Sequence, residues 1–186
     1  FEWWGFAPKP PSDPVKVATD GMFLYDRGIR GNVHALGISG LTTLPVLVYM
    51  EQFISPLSTD SFSSGVNAIV RKFQSPYEGI YYRPKEKKFG KVGCLCPICQ
   101  KIKDPQDLYR TDNIGYGLIA IHNLWQYLNY LRFLETIVAD RELFLKHVGR
   151  KPKIKSAITF IDNVVDLGWE EAVSKLGFVH KTLEGW

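Results

Sequence analysis

Cysteine is scarce in this chain of 186 residues, which holds three, all within the six residues from Cys94 to Cys99. An odd number so tightly grouped excludes a disulfide framework of the kind that staples small secreted domains. Metal binding in a reduced, cytoplasmic compartment is the better reading. Long apolar runs are lacking too. No stretch of eighteen apolar residues occurs, so no membrane span is expected. The first residue is Phe1 and no signal-peptide pattern follows, which reads as a fragment or a processed product. No internal repeat is found. Negative charge is missing from one segment: between Arg71 and Lys103 only Glu78 and Glu86 oppose nine lysines and arginines.

What is present begins with a core. The chain is 45% hydrophobic and 13% aromatic, enough for one domain, or one domain with a small appendage. Net charge is +4, with about +7 on residues 71–103 and about −3 on the remainder. The cysteines lie inside the basic segment. Clustered Lys and Arg fit either a solubilising loop or a phosphate-contacting surface. Arg71, Lys72, Lys87 and Lys88 are the candidate nucleic-acid contacts. Phe73, Tyr77, Tyr81, Tyr82 and Phe89 interleave with them; packing explains most of these, and stacking on unpaired bases is the other use.

Along the chain, "FEWWGFA" (1–7) reads as a buried strand and "PKPPSDP" as a loop. Residues 15–28 read as a helix closed by Gly28 and Gly31. A short strand over 32–39, a helix over 41–53 with Pro45 in its first turn, and a strand over 54–62 follow. Strand–helix–strand–helix–strand predicts a parallel α/β arrangement. From Ser64 to Gly93 short aromatic and basic pieces predict a hairpin or two. After Gly115, Leu118, Ile121, Leu124, Trp125, Leu128, Leu131, Phe133, Leu134 and Val138 recur at three and four, predicting a long helix with that face apolar. A helix near 140–148, a basic linker "GRKPKIK" and two more amphipathic pieces complete the chain.

The spacing C-x-C-x-x-C puts three sulfurs on one turn, which Gly93 and Pro97 suit. A structural zinc takes four protein ligands of thiolate and imidazole type. The fourth must come from His34, His122, His147 or His180. His122, in "LIAIHNLWQYL", lies 23 residues after Cys99 at the start of the long helix, and the intervening segment can loop out and return. One structural zinc on Cys94, Cys96, Cys99 and His122 is therefore expected.

This combination, "GCLCPICQ" followed by His122-Asn123-Leu124, resembles the zinc motif of the guanine transglycosylases. These enzymes exchange a guanine in nucleic acid for a 7-deazaguanine base. Upstream, Asp60-Ser61-Phe62-Ser63 resembles the D-S-x-S pattern of the archaeosine-type branch and its DNA-modifying relatives, in the eighth-strand segment that supplies the nucleophile. "VHALGIS" (33–39) is similar to the preceding barrel strand, with Ser39 where a second glycine is usual. "WWGFA" (3–7) is similar to the strand-six segment whose backbone reads the purine, with Gly5 alone where the bacterial branch has two glycines. The resemblance covers roughly residues 1–135. It implies the C-terminal part of a (β/α)8 TIM barrel (1–64) and a basic zinc-binding subdomain with the long helix (65–135); residues 136–186, which the resemblance does not place, read as a C-terminal helical extension. It implies Asp60 as nucleophile, a base pocket of Gly5, Phe6, Ala7, Leu36 and Gly37, and tRNA or DNA and a free 7-deazaguanine base as partners.

The chemistry is consistent with those residue types. A carboxylate can attack an oxocarbenium-like C1′ and hold the sugar while one base leaves and another enters. Barrel active sites lie at the C-terminal ends of strands, where Asp60 is expected. Taken alone, Asp60 in a Ser/Thr-rich segment reads better as an N-cap or turn residue; the zinc motif 34 residues downstream, as the family pattern expects, favours the nucleophile. With four protein ligands, the zinc keeps no open position for water and serves to pin the basic segment against the barrel. A whole barrel needs about 200–250 residues. Five strands and the family's general acid/base aspartate are not in this sequence, so the N-terminal half is expected on the full chain or on a partner chain. The isolated chain is not expected to be active. A non-catalytic zinc-dependent nucleic-acid-binding module is the alternative; parallel adjacent strands ending at Asp60 favour the enzyme, and an antiparallel or separated arrangement favours the module.

Overall fold

The computed structural model describes residues 2–38, 40–60, 63–74, 81–82, 94–102 and 112–176. The chain divides into two compact units, one of residues 1–60 and 137–186, the other of residues 61–136.

The first unit begins with β1 (Trp4–Phe6), α1 (Pro14–Asp26), β2 (Val33–Ala35), α2 (Leu44–Met50) and β3 (Leu57–Thr59). Capping fixes the start of α1. The Asp13 carboxylate accepts from Val15 N at 3.0 Å, and Pro14 occupies the first turn, where its missing N–H leaves nothing unpaired. The strands pair in parallel in the order β1-β2-β3. They are three residues long, shorter than the sequence suggests, because local backbone chemistry ends them. Gly37, two residues past the end of β2, takes φ +67°. Pro56, which has no N–H to give to a ladder, precedes β3.

The alternation of "WGFA" and "VHALG" sorts the two faces. Phe6, Val33 and Ala35 are buried, and Phe6 reaches α1 at Gly21. A Cβ at Gly21 would lie 2.4 Å from Met50 Sδ, so glycine there lets α1 approach α2. Gly5, His34 and Ser58 form one register row on the opposite face.

Three further helices belong to this unit: α6 (Arg141–Val148), α7 (Pro152–Leu167) and α8 (Trp169–Leu176). The "GRKPKIK" linker is a turn followed by the first turn of α7, because Pro152 takes the N-terminal position that tolerates proline. Ile154, Ala157, Ile158 and Ile161 then recur along one buried stripe. That stripe packs α7 on α1 and α2. All of α2 from Leu44 to Met50 is buried, as a helix apolar on every side must be. A polar cluster pins the packing: the Tyr49 hydroxyl donates to Asp162 Oδ1 at 2.6 Å, and Arg141 Nε donates to Asp162 Oδ2 at 2.8 Å.

The second unit contains α3 (Ser63–Ile69), an antiparallel pair of β4 (Phe73–Gln74) and β5 (Tyr81–Tyr82), α4 (Pro97–Lys101) and α5 (Asn113–Ile137). Its core gathers Ala68, Phe73 and Ile119, with Ile98 and Ile102 packed against them. The inward face of α5 differs from the expected one. Ile119, His122, Asn123, Gln126, Tyr130 and Leu134 are buried, while Ile121, Leu124, Trp125 and Leu128 are exposed. The reason is chemical: an imidazole and two carboxamides that can be satisfied inside outrank the apolar stripe as the inward face. No helix among the described residues is long and apolar enough to cross a membrane.

Candidate metal centre and strand-end carboxylate

The metal centre is built by one turn and one helix of the second unit. Cys96 caps α4: its sulfur accepts from Cys99 N at 3.3 Å, and Pro97 follows in the first turn. Cys94 Sγ accepts from Cys96 N at 3.5 Å, and Gln100 Nε2 donates back to Cys94 O at 3.0 Å. Backbone N–H groups aimed at sulfur favour the thiolate. The knuckle is therefore shaped by its own backbone.

His122 arrives from α5. Its Nδ1 lies 3.6 Å from Cys94 Sγ, 3.3 Å from Cys96 Sγ and 3.4 Å from Cys99 Sγ. All four ligand atoms lie within 4.8 Å of one another. Tetrahedral zinc with sulfurs near 2.3 Å and nitrogen near 2.0–2.1 Å sets ligand atoms about 3.5–3.8 Å apart. The four groups thus fit one metal ion such as zinc. Nε2 of the same ring lies 3.1 Å from Gln74 O. Donating there fixes the tautomer that turns the Nδ1 lone pair towards the sulfurs, the usual arrangement of a metal-bound histidine.

The neighbours of His122 extend this order. Asn123 Oδ1 accepts from Gln74 N at 2.8 Å, and Asn123 Nδ2 donates to Lys72 O at 2.9 Å. The His-Asn pair thus grips both backbone polar groups of Gln74 and ties β4 to the metal ligand. One turn on, Gln126 Nε2 donates to Cys94 Sγ at 2.9 Å.

The electrostatics also call for a cation. Hydrogen bonds from Cys94 and Cys99 draw the Cys96 thiol far below its ordinary range, while the Cys94 and Cys96 sulfurs push Cys99 far above it. Three thiolates this close repel one another, and a divalent ion is what lets all of them ionise. Burial lowers His122, but its hydrogen bonds and charge contacts with Cys94 and Cys96 outweigh that and raise it to about 9, so a metal ion must displace the Nδ1 proton to use that lone pair.

Asp60 belongs to the first unit, directly after β3. Its Oδ1 accepts from Gly37 N at 2.5 Å, and its side chain is 62% exposed. Leu36 lies over Gly5, where a Cβ would sit 3.5 Å from Leu36 Cδ1. Gly5, Leu36, Gly37 and Asp60 therefore gather at the C-terminal end of the three-stranded sheet. The Phe6 side chain points to the opposite, buried face, so only its backbone is available beside Gly5, and Ala7 is exposed just past β1. Two polar neighbours of Asp60 were not anticipated. His34 Nε2 is 3.7 Å from Asp60 Oδ1, and His34 Nδ1 is 2.9 Å from Ser58 Oγ. The alternation of "VHALG" carried the signal, since Val33 and Ala35 on one face put His34 and Leu36 on the other.

Of the candidate nucleic-acid contacts, Lys87 and Lys88 lie outside the described residues. Arg71 takes φ +56° and sets its guanidinium 4.6 Å over the Tyr116 ring; Lys72 lends its carbonyl to Asn123. No family model matches the chain, and no curated protein or solved structure matches it.

Proposed function

We propose that this chain is the C-terminal part of a guanine transglycosylase that exchanges guanine in tRNA or DNA for a 7-deazaguanine base. The observation that carries the reading is Asp60, a carboxylate at the C-terminal end of a parallel sheet, held by the Gly37 N–H. A Cys3His group follows it in sequence, beginning 34 residues later. On this reading β1, β2 and β3 are the last three strands of a (β/α)8 barrel, and the outer edges of β1 and β3, unpaired among the described residues, meet strands supplied by the N-terminal half.

Asp60 is the nucleophile. Its carboxylate forms a bond to C1′ as the C1′–N9 bond of guanine breaks. The electron pair leaves on the base, which takes a proton from a general acid carried by the N-terminal half. The reverse sequence installs the incoming base. Leu36 and the backbone at Gly5 and Gly37 line the base pocket. Zinc, held by Cys94, Cys96, Cys99 and His122, supplies structure rather than chemistry, because four protein ligands close its shell. The parallel strands favour this reading over the non-catalytic binding module.

The test is incorporation of labelled guanine into tRNA and into DNA by the protein carrying the whole barrel. Asp60→Asn should abolish exchange and leave nucleic-acid affinity within about twofold, since the amide keeps the shape and loses the nucleophile. Exchange retained by Asp60→Asn would rule Asp60 out and move the reading to the binding module.

A further inference from the structure

We infer that His34 is a positioning residue for Asp60, clamped by Ser58 so that its Nε2 faces the carboxylate oxygen that Gly37 also holds. The inference rests on the transglycosylase reading and adds a residue to it.

The geometry sets a direction along three residues. Gly5, His34 and Ser58 share a row across the sheet, and Asp60 follows Ser58 on the same side of β3. Ser58 Oγ is 2.9 Å from His34 Nδ1 but 3.4 Å from Val33 O. The carboxylate facing Nε2 favours hydrogen on that nitrogen, and Ser58 Oγ holds the ring at Nδ1. The ring hydrogen is then on Nε2, which lies 3.7 Å from Asp60 Oδ1. The opposite tautomer would aim a lone pair at a carboxylate.

A Ser–His–Asp set also occurs in hydrolases, where the aspartate is the buried orienter and the serine faces substrate. Here the order is reversed. Asp60 is the exposed member and Ser58 is half-buried at the foot of the row. The relay therefore serves the carboxylate, and a serine nucleophile is the wrong reading of it.

The consequence is a division of labour between the two carboxylate oxygens. Oδ1 is held by the Gly37 N–H and faced by His34 Nε2–H. Oδ2 has no hydrogen bond among the described residues and is the oxygen that bonds C1′. At 3.7 Å the imidazole acts as a dipole; such contacts shorten to hydrogen-bond length when a substrate completes a site. In the covalent state Oδ1 is the ester carbonyl oxygen. When the C1′–Oδ2 bond breaks, its electron pair returns to the carboxylate and the charge spreads onto Oδ1. Gly37 N–H and His34 Nε2–H meet it there, while the incoming base passes its N9 proton to the general base of the N-terminal half. His34 keeps its own proton throughout.

The experiment uses the protein carrying the whole barrel, with labelled-guanine exchange and quenched single turnovers that count the covalent adduct. His34→Phe should lower kcat about 10–100-fold with KM for nucleic acid within about twofold. The adduct should decay more slowly by a larger factor than it forms. His34→Gln, whose amide can still donate towards Asp60, should recover most of the loss. Ser58→Ala should lower kcat about 3–10-fold by freeing the ring. His34→Asn, too short to reach, is the loss variant if the Phe variant does not fold. Wild-type kcat in both His34→Phe and His34→Asn, with Asp60→Asn inactive, overturns the role of His34 and leaves the transglycosylase standing. A Gln variant as impaired as the Phe variant, with zinc content and circular dichroism unchanged, overturns it as well. A wild-type protein without exchange overturns the transglycosylase reading and His34's role with it.

Discussion

Asn123 and Cys96 do different work on the same small structure, and substitution separates them. Cys96 is a candidate metal ligand whose sulfur caps α4 and accepts from Cys99 N. Cys96→Ser should take bound zinc from about one per chain to near zero, read by elemental analysis. Asn123 lies outside the Cys3His group and holds Gln74 N and Lys72 O. Asn123→Ala should keep a metal bound at the cysteines and cost about 1–3 kcal/mol, because the buried Gln74 N–H is left without its partner and the half-buried Lys72 carbonyl loses its own. Tyr49 gives a pH test. Burial, and then Asp162, raise its hydroxyl to about 12 in the folded chain, against 10 for the ordinary group. A raised folded value means the contribution is whole below pH 10 and lost as pH rises through about 12. Tyr49→Phe should therefore be less stable than wild type by about 1 kcal/mol at pH 8 in urea unfolding. That difference should fall to zero and reverse as pH rises from 10 to about 12, because the unfolded hydroxyl ionises first; a constant gap would mean the hydroxyl contributes no linkage.

At the scale of the element, α5 shows how periodicity can point to the wrong side. Residues Ile121, Leu124, Trp125 and Leu128 recur at helical spacing and yet are exposed, while His122, Asn123 and Gln126 are buried. Leu124→Ala and Leu128→Ala should each cost less than about 1 kcal/mol, whereas Ile119→Ala and Leu134→Ala should each cost about 2–4 kcal/mol. Equal losses at the two faces, measured by chemical denaturation, would restore the apolar stripe as the packing face. Helix α3 gave no sequence signal of its own, since "SSGVNAI" mixes glycine with β-branched residues. Its burial of Ala68 against Phe73 and Ile119 is what makes it a helix.

For the whole molecule, charge is the property to test. Residues 71–103 carry about +7, which includes Lys87 and Lys88. If that segment meets phosphates, Lys87→Glu/Lys88→Glu should weaken RNA or DNA binding. It should also flatten the salt dependence by about 0.9 for each phosphate the variant no longer neutralises. Affinity and slope both unchanged would make the segment a solubilising surface. The C-terminal residues, which no motif placed, pack α7 onto α1 and α2 and join the strands in one unit.

Local chemistry was enough for much of this. The C-x-C-x-x-C spacing, Pro97 and the His-Asn pair specify the knuckle and its fourth ligand, because a tight turn and one helical side chain need little else to converge; the pair lies nine residues into α5 rather than at its start. The alternation of strands and helices over residues 4–59 specifies a parallel βαβαβ order, because short crossovers pack only that way. Tertiary structure alone decided which face of α5 turns inward, since only the assembled core offers Gln74, Lys72 and three sulfurs to satisfy its polar groups. It alone set His34 and Ser58 beside Asp60, since that row exists only when β2 and β3 are in register. Strand register is a property of pairing between distant segments, and no residue within either segment encodes it by itself.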